Sequence, residues 1–254
     1  MKELKLPFVS ILKSHLNEKT PLMQFVIGPR QVGKTTGVGQ VTRKYPGRYS
    51  FRDDPPCWKS YFLNSIVDAV LFKDILSQHK VNKPALFRQL VELLAAYSAQ
   101  KISYTKLLGQ LQERGNVEII KNYIQLLQGS FLFMPLEKYP PKKVLQKSSS
   151  PKNIPMCPAL IEALAPEVDK GRRFEAYVGA ELIHLNGELF YWQEGHFEVD
   201  FVFKNFQGKV FATEVKSEKS KLSASLQKLM EKSPQIRPLI IDEKNVSKLV
   251  DLVS

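Results

Sequence analysis

The chain has 254 residues, of which 43% are hydrophobic and 24% are charged, and its formal net charge is +12. These ordinary globular values exclude a disordered tail, and two cysteines 100 positions apart exclude a disulfide framework and a cysteine-based zinc site. The longest uncharged stretch, residues 122–136, is too short and too polar to span a membrane, and the N-terminus lacks the pattern of a secretory signal. We therefore expect a cytoplasmic protein.

The positive charge is unevenly distributed along the chain. Residues 80–150 hold 11 basic and 4 acidic residues, whereas residues 151–254 hold 14 basic and 15 acidic residues. A basic first part fits contact with nucleic acid or nucleotide phosphates, although solubility alone explains it equally well. The expected partner is nucleic acid, DNA in particular, with no membrane association and with oligomer formation left open.

The N-terminal segment contains a phosphate-binding loop pattern between a predicted strand, Met23–Ile27, and a predicted helix. Glycines let the backbone curl so that its N–H groups point at phosphate oxygens. In this pattern Lys34 reaches the β- and γ-phosphates and Thr35 ligates Mg²⁺. The predicted nucleotide-contacting residues are Gly28, Gly33, Lys34, Thr35 and Thr36.

The rest of an ATPase site is missing from this segment. An ATPase also needs an acidic residue on a neighbouring strand to hold Mg²⁺. The stretch before Pro55 has room for one more strand, Tyr49–Asp53, but not for a multi-stranded doubly wound sheet. Leu239–Glu243 resembles the missing acidic strand, but we interpret it as an ordinary core strand with a charged exit. We therefore expect weak ATP binding at best and no turnover.

The middle of the chain is predicted to be helical and then extended. After a connecting helix over 62–75, helices are predicted over 86–97, from Ser103 to 111, and over 117–128. The run Phe131–Leu136 predicts a strand, and a basic, proline-rich excursion follows. This order is that of a winged helix-turn-helix, whose third helix can lie in a DNA major groove.

The last of these helices has two distinct faces. The residues predicted to point inward are Ile120, Tyr123, Ile124 and Leu127. The outward face carries the candidate nucleic-acid-binding residues Lys121, Asn122 and Gln125. A merely solvated polar face is the alternative interpretation.

The C-terminal part carries a second chemical pattern. Asp200 lies in an apolar strand, and Glu214 and Lys216 lie in a second strand after the turn at residues 205–209. In an antiparallel pair the two acids can lie near one another and bind Mg²⁺ or Mn²⁺, while the lysine orients water or stabilises charge on phosphate. Glu175, on a helix that opens near Arg172, adds a further acid. Without these partners, Glu-Val-Lys is typical of any surface strand.

Together these pieces resemble a widespread prokaryotic family of predicted ATPases of the AAA+ superfamily. Its members join an ATPase core to a winged helix and to a C-terminal domain of unknown function similar to PD-(D/E)xK nucleases. The resemblance covers nearly the whole chain, and the matching segments are Gly28–Thr35, Asp53–Pro55, Tyr61–Leu76, the predicted helices up to Phe133, Arg173–Glu175, Glu198–Val202 and Glu214–Ser217. The family places most of its ATPase core between the positions of Pro55 and Trp58, so this chain resembles an internally deleted member.

We therefore expect an α/β protein with an α-rich middle. The predicted units are a truncated P-loop remnant (1–55), a connecting helix with a winged helix-turn-helix (56–140), and a restriction-endonuclease-like α/β domain (141–254). The resemblance implies nucleic-acid binding with metal-dependent phosphodiester cleavage. Its catalytic residues would be Glu175, Asp200, Glu214 and Lys216, and its metal ligands would be Asp200 and Glu214. The alternatives are a non-catalytic DNA-binding or regulatory protein and a degenerate ATPase fragment.

Overall fold

The computed structural model describes residues 54–68, 75, 81–112, 115–140, 150–185, 187–216 and 222–253. The chain divides into two compact units, residues 1–69 and 70–254. The predicted nucleotide-contacting residues, from Gly28 to Thr36, lie outside the described residues, as do the strands predicted before Pro55. Within the described part, no helix is long and apolar enough to cross a membrane.

The described part of the first unit is helical. Helix α1 spans Pro55–Tyr61 and continues as a π-helical segment over Phe62–Val67. Asp54 begins the helix, because its side chain accepts a hydrogen bond from the Cys57 backbone N–H at 3.0 Å. The rings of Trp58 and Phe62 stack with 5.4 Å between their centroids. The predicted connecting helix is thus helical over the part that the structure describes.

From residue 81 onward, the described part of the second unit opens with three helices, α2 (Pro84–Ala96), α3 (Tyr104–Gln110) and α4 (Val117–Gly129). Ser103 caps α3 by accepting from the Lys106 N–H at 3.1 Å, as its position in the sequence predicts. Asn116 caps α4 in the same way. The four residues predicted to point inward from α4 are all buried: Ile120, Tyr123, Ile124 and Leu127.

A mixed six-stranded sheet forms the centre of the second unit, with the strand order β2-β1-β3-β4-β5-β6. Strand β1 runs parallel to β3 and β5 runs parallel to β6, while the other neighbouring pairs are antiparallel. The strands are β1 (Phe133–Lys138), β2 (Lys152–Pro155), β3 (Glu188–Glu194), β4 (Phe197–Lys204), β5 (Val210–Val215) and β6 (Arg237–Ile241). The chain therefore has the α/β class predicted for it.

Strand β1 begins two residues later than the sequence pattern predicts. Phe131 adopts a φ of 56° and is 72% exposed, so the chain turns here before the strand begins. Residues 56–140 and 141–254, predicted as separate units, share the sheet, because β1 pairs with both β2 and β3. Lys101, between α2 and α3, also forms an antiparallel bridge with Lys152 of β2.

Helices cover both faces of the C-terminal part of the sheet. Helix α6 (Lys170–Ile183) packs against Phe201, and α7 (Ala224–Lys232) packs against the face that carries Val202. Neighbouring residues of a strand point to opposite faces, so these helices lie on opposite sides of the sheet. The short helix α5 (Ala159–Leu164) precedes α6, and the short helix α8 (Leu249–Leu252) follows β6.

The exit of β6 forms a hydrogen-bonded turn after a core strand. Ile241 is fully buried. The Asp242 carboxylate accepts hydrogen bonds from the backbone N–H groups of Lys244 and Asn245, both at 2.9 Å. The Asp242 carboxylate therefore stabilises the turn that follows β6.

The close approach of α6 to the sheet gives a test of this packing. A Cβ atom on Gly179 would lie 2.8 Å from Cζ of Phe201, so Gly179→Ala should lower the free energy of unfolding by about 1–3 kcal/mol through overpacking. A Cβ atom on Gly109 of α3 would meet no neighbouring atom within 4 Å, so Gly109→Ala should raise the free energy of unfolding by about 0.5–1 kcal/mol. Urea unfolding measures both, and equal effects would contradict this packing.

Candidate functional site

Asp200 and Glu214 meet across the hairpin of β4 and β5. Phe201 is opposite Thr213, and one further step in this register places Asp200 opposite Glu214. Asp200 Oδ2 accepts a hydrogen bond from the Val215 N–H at 2.9 Å. The structure thus brings together the two acids that the spacing pointed to, while their catalytic and metal-binding roles stay predictions.

A β-bulge in β4 shapes the surroundings of Asp200. Phe190 is opposite Val202 and Trp192 is opposite Val199, so Asp200 and Phe201 together face Tyr191 alone. A bulge interrupts the ladder of backbone hydrogen bonds and turns side chains to new directions. The carbonyl oxygen of Asp200 instead accepts a hydrogen bond from Lys152 Nζ at 3.2 Å.

Glu214 is almost fully buried and sits between a serine and a lysine. The Ser223 hydroxyl, which also caps α7, donates to Glu214 Oε1. Lys216 Nζ lies 3.5 Å from Glu214 Oε2, as expected for two residues on one face of a strand. Oε2 has no hydrogen-bond partner among the described residues. The Lys216 side chain is 40% exposed, so this edge of the site opens to solvent.

Lys152, which the sequence reasoning missed, is the cation at the centre of the site. Only 1% of its side chain is exposed, and its Nζ forms an ion pair with Glu175 Oε1. The same Nζ lies 3.8 Å from Glu198 Oε1 and 4.0 Å from Asp200 Oδ1. It also lies 5.0 Å from the centroid of the Phe201 ring.

Glu175 reaches this cation from α6. Asp169 caps that helix by accepting from the Arg172 N–H at 3.0 Å, and Arg173 Nε donates to the Val168 carbonyl at 2.7 Å. These bonds fix the first turn of α6 and so place Glu175, one turn later, over Lys152.

A second lysine completes the arrangement. Lys101 Nζ lies 2.5 Å from Glu198 Oε2, and its side chain is 20% exposed. We call the whole set the acid–lysine cluster; it consists of Lys101, Lys152, Glu175, Glu198, Asp200, Glu214 and Lys216. Four carboxylates and three ammonium groups leave it close to neutral when all are charged.

Burial perturbs the acids of the acid–lysine cluster. It raises the pKa of Glu175 to about 7, although the charge of Lys152 opposes the rise. Burial also raises the pKa of Asp200, again against Lys152. The like charge of Glu214 adds to that rise, because the two acids lie opposite each other. Strongly perturbed acids of this kind are typical of functional sites and of structural ion-pair networks alike.

The donor atoms, as arranged, do not fit a divalent metal ion. One oxygen of each acid accepts a hydrogen bond, Asp200 Oδ2 from the Val215 N–H and Glu214 Oε1 from Ser223. The other oxygen of each lies near an ammonium group, with Lys152 Nζ 4.0 Å from Asp200 Oδ1 and Lys216 Nζ 3.5 Å from Glu214 Oε2. Over the described ranges, no group of three or more histidine, cysteine or acidic side chains has a spacing that could hold a metal. In this structure the lysines supply the positive charge.

The candidate nucleic-acid-binding residues lie together on the outer face of α4. Asn122 and Gln125 are exposed. Lys121 is half-buried, with its Nζ 3.0 Å from Glu118 Oε1 and 5.8 Å from the centroid of the Tyr104 ring. This lysine is therefore partly neutralised by its own helix.

Comparison with known proteins matches two family models to this chain. Residues 44–168 match a domain of unknown function, DUF8612. Residues 170–249 match a second, DUF4143. The latter is commonly found with AAA-ATPase domains. The searches of curated proteins and of solved structures give no match.

The boundary between the two matched regions runs through the acid–lysine cluster. Lys101 and Lys152 lie in the region that matches DUF8612, whereas all four acids and Lys216 lie in the region that matches DUF4143. The cluster is thus an ion-pair contact between the two regions, inside one compact unit.

The raised pKa of Glu175 predicts a pH dependence of stability. Between pH 4.5 and about 7 the folded chain keeps a proton on Glu175 that the unfolded chain has lost, so this group's contribution to stability falls as the pH rises. Glu175→Gln removes this contribution. Between pH 4.5 and 8 the free energy of unfolding of the wild type should therefore fall by up to about 3 kcal/mol relative to that of the variant, at about 1.4 kcal/mol per pKa unit.

Urea unfolding at pH 5 and pH 8 measures this difference. The exposed Glu188, on β3, provides the matched control, because Glu188→Gln should leave the wild-type pH dependence unchanged. A parallel pH dependence in wild type and Glu175→Gln would contradict the argument.

Proposed function

We propose that this chain is a nucleic-acid-binding protein that contacts DNA through α4. The observation that carries the proposal is the order of elements: three helices, α2 to α4, followed by the antiparallel pair β1 and β2. The bridge between Lys101 and Lys152 ties the α2–α3 connection to the same pair. This order supports a winged helix-turn-helix, in which the third helix enters the major groove.

The chemistry of α4 and its surroundings also supports this function. Exposed amides such as those of Asn122 and Gln125 can form paired hydrogen bonds with adenine edges. In a winged helix the connection between these two strands would form the wing, and in this sequence that connection includes Lys142, Lys143 and Lys147. Basic residues there would neutralise phosphates and release counterions.

Metal-dependent phosphodiester cleavage is the second candidate function. The facing carboxylates of Asp200 and Glu214, with Lys216 beside them, favour it, and the resemblance to PD-(D/E)xK nucleases implies it. If a metal bound there, it would polarise phosphate and activate water, while Lys216 would stabilise the developing negative charge. Asp200 and Glu214 each already accept a hydrogen bond, which favours nucleic-acid binding without cleavage. The non-catalytic function is therefore the first candidate.

We interpret the P-loop pattern as the remnant of an ATPase core. The loop would cradle phosphates through Gly28, Gly33, Lys34, Thr35 and Thr36, but the internal deletion that the resemblance implies removes the acid that would hold Mg²⁺. We expect no ATP turnover in a sensitive phosphate-release assay. Turnover that disappears in Lys34→Ala would contradict this and would redirect attention to Asp242 and Glu243.

DNA binding by α4 is tested with a fluorescently labelled duplex at several salt concentrations. Replacing Asn122 and Gln125 by Ala should weaken DNA binding several-fold. Lys121→Ala should reduce the slope of log K against log[salt] by about one, which corresponds to one lost phosphate contact. Gln227, an exposed glutamine on α7, is the matched control, and Gln227→Ala should bind like wild type. Equal binding by all variants, or binding insensitive to salt, would overturn the proposal.

Cleavage is tested separately with single- and double-stranded DNA and RNA in Mg²⁺ or Mn²⁺. We expect intact substrates with wild-type protein. Metal-dependent cleavage that disappears in both Asp200→Ala and Lys216→Ala would establish the second candidate instead.

A further inference from the structure

We propose that Lys152 is the resident cation of the acid–lysine cluster, so that its ammonium excludes a divalent metal ion and its removal creates a metal-binding site. This role of Lys152 does not depend on DNA binding by α4.

The ammonium occupies the space in which a shared metal ion would have to lie. Lys152 Nζ has oxygen neighbours on two elements: the Glu175 carboxylate on α6, and Glu198 and Asp200 on β4. The Asp200 carbonyl supplies a further oxygen at 3.2 Å. Only 1% of the Lys152 side chain is exposed, so its ammonium interacts mainly with these oxygens.

The backbone holds this ammonium in place. All four residues of β2 are buried, and Lys152 itself is opposite Leu136 of β1. The bridge to Lys101 fixes the other edge, and the carbonyl of Asn153 accepts the Ala99 N–H at 2.9 Å. To leave the cluster, the Lys152 side chain would have to move from a paired strand into solvent, which leaves partly buried carboxylates without this counter-charge.

Removing the ammonium leaves a set of oxygens suited to a hard cation. Partly buried carboxylates that lose their cation repel one another, and Mg²⁺ or Mn²⁺ matches their charge and their oxygen atoms. Glu214 Oε2, buried and lacking a hydrogen-bond partner among the described residues, provides a further ligand beside Asp200. The carboxylates would close inward by about 1–2 Å to reach metal–oxygen distances of about 2.0–2.6 Å.

The test uses the full chain with MnCl₂ as the probe, followed by titration calorimetry and thermal unfolding. KCl at matched ionic strength controls for screening. Wild type should bind no Mn²⁺ at the cluster and show no specific shift in Tm. Lys152→Met should unfold at a lower temperature in KCl, bind about one Mn²⁺ per chain, and recover part of its Tm with the metal.

Two further variants separate the cluster from other effects. Lys152→Met combined with Glu175→Gln should lose most of the gained Mn²⁺ affinity. Lys204, a half-exposed lysine paired with Glu188, is the control, because Lys204→Met should bind no Mn²⁺. Lys152→Gln, which keeps the volume and can still donate to the Asp200 carbonyl, repeats the measurement if the methionine variant does not fold.

Two outcomes would overturn the inference. One is Mn²⁺ binding by wild type that disappears in Asp200→Ala, since the ammonium would then move aside for the metal. The other is that no Lys152 variant gains Mn²⁺ binding. The wild-type titration decides the first of these whether or not the variants fold. Cleavage assays play no part, so failure of the DNA-binding proposal leaves this result unaffected.

Discussion

The buried ammonium of Lys152 is the constraint on which the arrangement of the second unit depends. It faces Glu175 and two acids of β4, and a buried charge is tolerated only when it is paired in this way. Side chains alternate along a strand, so a slip of β2 by one residue would bring Asn153 to the cluster and turn Lys152 away. The ion pairs therefore fix the register of β2 and, through β1, the edge of the whole sheet.

The same contact explains how a local group of carboxylates is neutralised within one fold. Lysines from the region matching DUF8612 neutralise the carboxylates of the region matching DUF4143. An unneutralised acidic cluster would repel nucleic-acid phosphates, whereas this one is close to neutral. Internal neutralisation thus leaves the basic residues around α4 free to dominate the interaction with DNA that we propose.

Local patterns in the sequence predicted much of the fold and part of the site. Ser103 marks the start of α3 because capping depends only on neighbouring residues, and the spacing of Asp200 and Glu214 follows from a short hairpin. Lys152 could not be found this way. Its burial comes from pairing with a distant strand, and a lysine after a serine-rich linker has the sequence signature of a solvated one. The parallel pairing of β1 with β3 could not be predicted either, because it also joins distant strands. Glu198 could have been predicted, because it lies two residues before Asp200 and therefore on the same face of a regular strand.

A crystal structure of the wild-type chain grown in MnCl₂, with anomalous diffraction data collected for manganese, tests the central claim most directly. We predict Lys152 Nζ among Glu175, Glu198 and Asp200, with no anomalous peak at the acid–lysine cluster. A manganese peak between Asp200 and Glu214, with the Lys152 side chain displaced, would contradict the account and establish a metal site.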